Sequence, residues 1–450
     1  MFENIIEQGA VLQLSDDILN RQDAPSMLFF GPVNTGKGSA ALELARINSC
    51  ENDASWKCTC SSCESHRYLQ HDDLLVLGRR PFSAEIKVCQ SALLRNPSSQ
   101  GAKLLFFRSL RKLMLRFSPV LMEDDPKSSK ISAVLHSLDE KLSEFWPSAQ
   151  SAQSAQNGEE DVFIKFCDSL VKDAFTLESE GLGNIIPIGQ IRNASYWCRL
   201  TPNGKRKTLI IENAENMREE GRNSLLKLLE EPPAALSIVL TAKRREAIMP
   251  TILSRLRPYR FLKRNIESEK EVIRRVFLDT LNDKYSQTDG SLVSAYLDSF
   301  MTQNTEKLEI LAAWFIVSFA RIVSLSFKKK GKENIPAVIY ALGERYAPIA
   351  ETAGLERYLK STDVIKILLS QCGNFKDDSF SRFMEKCLDM IGQVIRQAEN
   401  PQNNIYYDIF KKNIGEAVTA VDVLNINAAI ALEGLFYKLK QSMSIRGLYG

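Results

Sequence analysis

Gly31, Gly36 and Lys37 stand at the spacing Gly-x-x-x-x-Gly-Lys in the stretch GPVNTGKGSAA. Between a strand and a helix, such a loop points backbone N–H groups at phosphate while the lysine reaches the terminal phosphates. With Asn34 and Thr35 between them, these five residues form a candidate nucleotide loop. The residue after the lysine ordinarily supplies a hydroxyl oxygen to Mg²⁺. Here that residue is Gly38, which has no side chain to offer. Ser39 is the nearest hydroxyl, but one step along a helix turns it by about 100°. The spacing therefore predicts a phosphate-loop framework with its metal position weakened.

A nucleotide-cleaving site also needs an acid at the end of a strand to hold the metal, and usually a second to position water. In LIIENAE the first of these falls at Glu212 and the second at Asn213, which cannot act as a base. Two departures in the two halves of one metal site point towards a fold retained and a reaction lost. The competing reading of this segment is a solvated turn after a core strand.

A second constellation is Cys50-x₇-Cys58-x-Cys60-x₂-Cys63, four thiols within fourteen residues. Four thiolates leave no open coordination position, so this set predicts a structural, tetrahedral Zn²⁺ rather than a catalytic one. The single residue between Cys58 and Cys60 makes that pair the uncertain part of the geometry, and His66 is the alternative ligand. His71 reads as a plain loop residue. The remaining five of nine cysteines read as buried thiols.

The elements that must hold these residues follow from hydrophobic patterning. PSMLFF, LLVLG, KTLIIENAE and LSIVLTA are apolar runs of strand length, alternating with helical segments such as GSAALELARI and REEGRNSLLKLLEEPP. Alternation of this kind predicts a parallel sheet covered on both faces. Between about 79 and 183 it lapses into two segments of helical periodicity, GAKLLFFRSLRKLMLRF and EEDVFIKFCDSLVKDAF. Between them lies SAQSAQSAQ, read as a flexible linker. This region is a helical insertion to which the sequence assigns no chemistry. After RPYRFLKR the strands stop, and the rest reads as helices, with breaks expected at Gly290 and at KKKGKENIP.

The bulk properties set limits. A chain of 450 residues with 44% hydrophobic and 25% charged residues has material for several cored domains, and a net charge of +3 identifies no nucleic-acid surface by itself. The N-terminal MFENIIEQGA has neither a basic nor an apolar leader region, so a cytoplasmic location is expected. ILAAWFIVSFA (310–320) is shorter than the ~20 residues of a membrane span and reads as a buried helix.

FENIIEQGAVLQLSDDIL, FFGPVNTGKGS, the cysteine cluster, IPIGQIRN, NSLLKLLEEPP and TILSRLRPYRF occur here in a characteristic order. In that order the chain resembles bacterial DNA polymerase III clamp-loader subunits, most closely the delta-prime class with gamma/tau as near kin. The resemblance covers residues 2–78 and 185–262 well. It implies an AAA+ P-loop module over 1–262, carrying a zinc module at 50–66 and the insertion at about 79–183. An all-helical lid is implied over 263–305 and an all-helical collar over 306–450, the latter joining subunits into a ring-like pentamer.

The resemblance also implies roles. The hydrolysing relatives have a Ser-Arg-Cys motif whose arginine reaches a neighbour's γ-phosphate. Here the matching residues are Ser254, Arg255 and Leu256, so the arginine is kept and the cysteine is not. An arginine donated in trans stabilises charge on the transferring phosphoryl group and needs no ATP on its own chain. Where the relatives carry a nucleotide-sensing lid arginine, GSLVSA (290–295) has Val293. The segment GQIRNASYWCRL begins a helix near duplex DNA in the family, which makes Arg192 the candidate DNA contact.

The resulting expectation is a delta-prime-like stator that helps load the sliding clamp onto primed DNA. It would work with gamma/tau and delta subunits and offer Arg255 to an adjacent ATPase, with ATP or ADP binding of its own in doubt. One competing expectation is an active gamma-like ATPase in which Ser39 and Glu212 hold magnesium. The other is a standalone zinc-stabilised nucleic-acid adaptor.

Overall fold

A computed structural model describes residues 1–20, 25–123, 125, 128–151, 159–183, 185–280, 291–329, 336–355, 360–372, 379–397, 403–422 and 426–446. They divide into two compact units, Met1–Met301 and Thr302–Gly450. The flexible linker expected at SAQSAQSAQ falls largely outside these residues, as do Gly290 and most of KKKGKENIP.

In the first unit α1 (Gly9–Leu19) leads to β1 (Ser26–Phe30), whose end passes through the glycine loop into α2 (Lys37–Ser49). A short α3 (Ser61–Arg67) precedes β2 (Leu74–Gly78). The insertion follows as α4 (Ser83–Arg95), α5 (Gln100–Met114), a 3-10 turn (Leu115–Phe117), α6 (Pro119–Met122), α7 (Ser128–Ser151) and α8 (Glu159–Gly181). The chain returns through α9 (Ile188–Arg199), β3 (Lys207–Glu212), α10 (Glu219–Glu230), β4 (Leu236–Ala242), α11 (Pro250–Leu253) and β5 (Arg257–Arg260). Helices α12 (Ile266–Val276) and α13 (Leu292–Ser299) complete the unit.

The five strands form one sheet in the order β2-β3-β4-β1-β5, and every neighbouring pair is parallel. Alternate residues feed opposite cores, as the pleat requires. Met27, Phe29, Val76, Ile210 and Val239 pack with α1 and α2, while Leu28, Leu75, Leu77, Ile211 and Leu240 pack with α9 and α10. The sheet is thus covered on both faces, as the apolar runs predict. The third apolar run, KTLIIENAE, stops being a strand at Glu212, because Asn213 turns into the left-handed region at φ 49°. The RPYR segment supplies a fifth strand, at the sheet edge beside β1, where Pro258 is tolerated.

The insertion has its own core, in which Phe106, Phe107, Leu138, Phe145, Phe163 and Leu170 are buried together. A smaller core of Val272, Ile273, Phe277, Leu292, Val293 and Tyr296 joins α12 and α13. Asn265 caps α12 by accepting from the Ser268 N–H at 2.8 Å, and acidic residues in its first turn with arginines in its last complement the helix dipole.

The second unit is all-helical among its described residues: α14 (Thr302–Lys329), α15 (Ala337–Glu351), α16 (Ser361–Gln371), α17 (Ser379–Gln397), α18 (Asn403–Asp422) and α19 (Ala428–Arg446). The apolar stretch proves longer than the expected 310–320. Lys307–Phe327 spans 21 residues at a mean hydropathy of 2.0, long and apolar enough to cross a membrane, yet 67% of its apolar window is buried within the protein. Trp314, Phe315, Phe319 and Val323 pack there against Phe383, Phe410, Leu432 and Phe436. A helix apolar on several sides is what the centre of a helical core requires.

Candidate nucleotide loop and cysteine centre

The glycine loop runs from the end of β1 to the N-terminus of α2, with Gly36 in the left-handed region at φ 93° as the helix cap. Thr35 Oγ1 donates to the Pro32 carbonyl at 2.8 Å, which tightens the loop. Lys37 opens the helix and folds back: its Nζ donates to the Gly31 carbonyl at 2.6 Å and also to the Pro32 carbonyl. Burial lowers its pKa from 10.5 to about 8, opposed by the carboxylates of Glu215 and Glu212. The Asn34 amide donates to Ser294 Oγ at 2.8 Å, tying the loop to α13, and Arg264 donates to the Asn34 carbonyl at 3.1 Å. The side chains of Asn34, Thr35 and Lys37 are thus engaged within the chain. Ser39 is half-buried on the first turn of α2.

Glu212 ends β3 with only 6% of its surface exposed. Its Oε2 accepts from Arg116 Nη2 at 2.5 Å and pairs with Arg80 Nε at 3.3 Å. Burial works to raise its pKa, but Arg116 and then Arg80 outweigh it and hold the carboxyl below the ordinary glutamate range. Arg80 also pairs with Glu85 at 2.6 Å, and Lys112 meets Glu85 at 2.5 Å, so the charges form one network. Phe82 lies beneath both arginines, its ring centroid 4.2 Å from Arg80 Cζ and 5.2 Å from that of Arg116. A Cβ on residue 38 would lie 2.7 Å from Glu212 Oε1, so glycine there makes room for the carboxylate. Gly78, at φ 100°, makes room for the backbone of Glu212: a Cβ there would lie 2.1 Å from the Glu212 carbonyl oxygen.

Asn213 faces inward to the scaffold. Its amide donates to the Arg79 carbonyl and its N–H to Thr241 Oγ1 at 3.1 Å, joining the ends of β2 and β4. Val293 is buried in the α12–α13 core, and its N–H donates to Glu269 Oε2 at 3.2 Å.

The cysteine centre is built by α2, α3 and the loop between them. Cys50 caps the end of α2, Cys58 and Cys60 lie in the loop, and Cys63 is in the first turn of α3. All four Sγ atoms lie within 4.8 Å of one another, despite the short Cys58–Cys60 spacing. Cys50 Sγ is 3.6 Å from Cys58 Sγ and 4.0 Å from Cys60 Sγ. Tetrahedral thiolates around a metal at a 2.3 Å bond length sit about 3.8 Å apart. Arg46, buried on α2, donates to Cys63 Sγ at 2.9 Å while chelated by Glu43, and the Cys63 N–H donates to Cys60 Sγ at 3.5 Å. Donors aimed at sulfur fit thiolates, and this set fits a four-coordinate metal. His66 does not join it: its ring stacks on His71 with centroids 4.1 Å apart. Of the other five cysteines, four are buried and Cys372 is half-buried. Burial pushes the Cys167 and Cys198 thiols up to about 12.

Arg255 lies after α11, exposed, with Nη2 2.7 Å from Glu230 Oε1 and Nη1 2.6 Å from the Thr251 carbonyl. Leu256, at the position of the relatives' cysteine, is buried in the sheet core. Arg257 is tied to Asp17, which also accepts from the Tyr259 hydroxyl at 2.7 Å. Arg192 is exposed near the start of α9, and Tyr196 and Arg199 follow on the same exposed stripe at i+4 and i+7. Sequence reading missed Arg80, Arg116, Tyr196 and Glu230. The last two carried a signal, helical spacing from Arg192 and a place in LLEEPP, whereas the first two lie in an insertion without motif.

A family model described as DNA polymerase III, delta subunit, matches residues 137–265. DNA polymerase III subunit delta' of Pseudomonas aeruginosa is 34% identical over 84 residues, 18% of this chain and 26% of that protein. The chain thus spans about a quarter of that relative's length. Among solved structures, a DNA polymerase III gamma subunit-related protein from Thermotoga maritima aligns at 18% identity, with a TM-score of 0.28, over 58% of this chain and 81% of that one.

Proposed function

We propose that this chain belongs to the clamp-loader AAA+ family of DNA polymerase III and is a delta-prime-like stator that does not itself cleave ATP. The observation that carries this reading is the capture of Glu212 by Arg116 and Arg80 beside Gly38. A carboxylate so engaged, next to a glycine where a hydroxyl ligand belongs, fits poorly with a magnesium site. Asn213 as a scaffold amide and Val293 as a core residue support the same reading.

What the chain would give the assembly is Arg255, an exposed guanidinium between α11 and β5, offered to the γ-phosphate of an adjacent gamma/tau subunit. The cysteine centre would hold one structural Zn²⁺ through Cys50, Cys58, Cys60 and Cys63, fixing the segment after α2. The Arg192, Tyr196 and Arg199 stripe would meet the backbone of primed DNA inside the ring. Sliding clamp, delta subunit and a cytoplasmic location belong to the same reading.

The test is hydrolysis by the purified chain. The reading predicts no Mg²⁺-dependent ATP turnover above background, and robust turnover by the chain alone would overturn it in favour of the gamma-like alternative.

A further inference from the structure

The helical insertion reaches the carboxylate at the end of β3 through Arg116. Arg116, on the 3-10 turn after α5, is 4% exposed and contacts Glu212 across 96 residues of sequence. Arg80, at the insertion's first residues, pairs with the same carboxylate oxygen, and Phe82 supports both guanidinium planes. On the other carboxylate oxygen, the space of a missing Cβ at Gly38 is taken up by Oε1 itself. The Glu212 carboxylate also acts on the Lys37 ammonium, so it is faced by three cations of the chain.

A divalent ion entering here would have to displace a buried guanidinium from Glu212 and would meet the positive charge of Arg80, Arg116 and Lys37. Like charges at contact distance in a site of low polarity repel strongly. The loop is also held from its open side, through Asn34 to Ser294 and Arg264.

We propose that the insertion is a plug built into the chain: Arg116, backed by Arg80, takes at Glu212 the place of the divalent cation, and keeps the loop from binding metal-nucleotide. This deepens the stator reading and rests on it for the ancestry of the loop. The site is closed by an added cation as well as by a lost hydroxyl.

The experiment titrates the full chain with a fluorescent ATP analogue, with and without Mg²⁺, in four forms: native, Gly38→Ser, Arg116→Ala and the Gly38→Ser/Arg116→Ala pair. The plug predicts that Gly38→Ser alone gains nothing, because its Cβ competes with Glu212 still held by Arg116. The double variant is predicted to gain Mg²⁺-dependent binding at least tenfold over native. Gly38→Ser alone matching the double variant would overturn the plug, as would a folded double variant that binds no better than native; both leave the stator reading standing. If Arg116→Ala does not fold, a tenfold Mg²⁺-dependent gain over native by Gly38→Ser alone still overturns the plug. Mg²⁺-dependent ATP turnover by the native chain alone would remove both.

Discussion

Arg255 Nη2 and Glu230 Oε1 meet at 2.7 Å on the surface of the first unit, with side-chain exposures of 33% and 49%. The guanidinium is held in place by a partner that solvent screens. Exposed pairs of this kind contribute about 0–1 kcal/mol, so in the proposed assembly a neighbour's phosphate would compete with Glu230 easily. Glu230→Gln should therefore lower stability by less than about 1 kcal/mol in urea denaturation. A larger loss would make Arg255 part of the scaffold instead of an available cation.

Glu212 behaves oppositely because its partners are buried. Glu212→Gln leaves Arg116 and Arg80 without their shared anion, and removing one partner of a buried pair costs about 3–5 kcal/mol. The sign with pH follows from the lowered pKa: the carboxylate's contribution is complete above the ordinary value of 4.5 and is lost as pH falls through the lower folded value. Denaturation at a series of pH values should show the gap between native and variant wide at neutral pH and closing in acid below that ordinary value. A gap independent of pH would contradict an ionised Glu212.

The cysteine centre predicts about one zinc per chain by metal analysis, lost on strong chelation with a fall in the melting temperature of the first unit. Arg46→Met removes the donor to Cys63 without touching a ligand, and partners of this kind are worth about 10–100-fold in metal affinity. Zinc well under one per chain in the native protein would remove the assignment.

The nucleotide loop and the cysteine cluster were legible because each is local: both are fixed by spacings within a few tens of residues. The strands were legible because burial on both faces demands continuous apolar runs. Glu212 was found in sequence, but its chemistry was not, since Arg116 reaches it from the insertion by tertiary packing alone. Likewise the single residue between Cys58 and Cys60 looked like a defect. In three dimensions the Cys60 sulfur turns inward at the cap of α3, where it accepts from the Cys63 N–H. The edge strand Arg257–Arg260 is too short and polar for a periodicity signal, and is recognisable only from its pairing with β1.

On α9 the exposed stripe gives a graded expectation. Arg192→Ala and Arg199→Ala should each weaken binding of primed DNA by the assembled loader and reduce the salt dependence by about one counterion, whatever the sequence. Tyr196→Ala should leave that slope unchanged. Anisotropy at several salt concentrations checks this, and unaltered slopes for both arginines would place DNA elsewhere.

The central claim is that this chain acts through Arg255 on a site it does not own. The direct measurement is single-turnover ATP hydrolysis by a reconstituted loader carrying Arg255→Ala, with assembly followed by size-exclusion chromatography. A trans arginine is worth about 10³-fold or more at the site it serves. The account predicts a loss of that order at the neighbouring ATPase with the complex intact. Unchanged hydrolysis in an intact complex would contradict it.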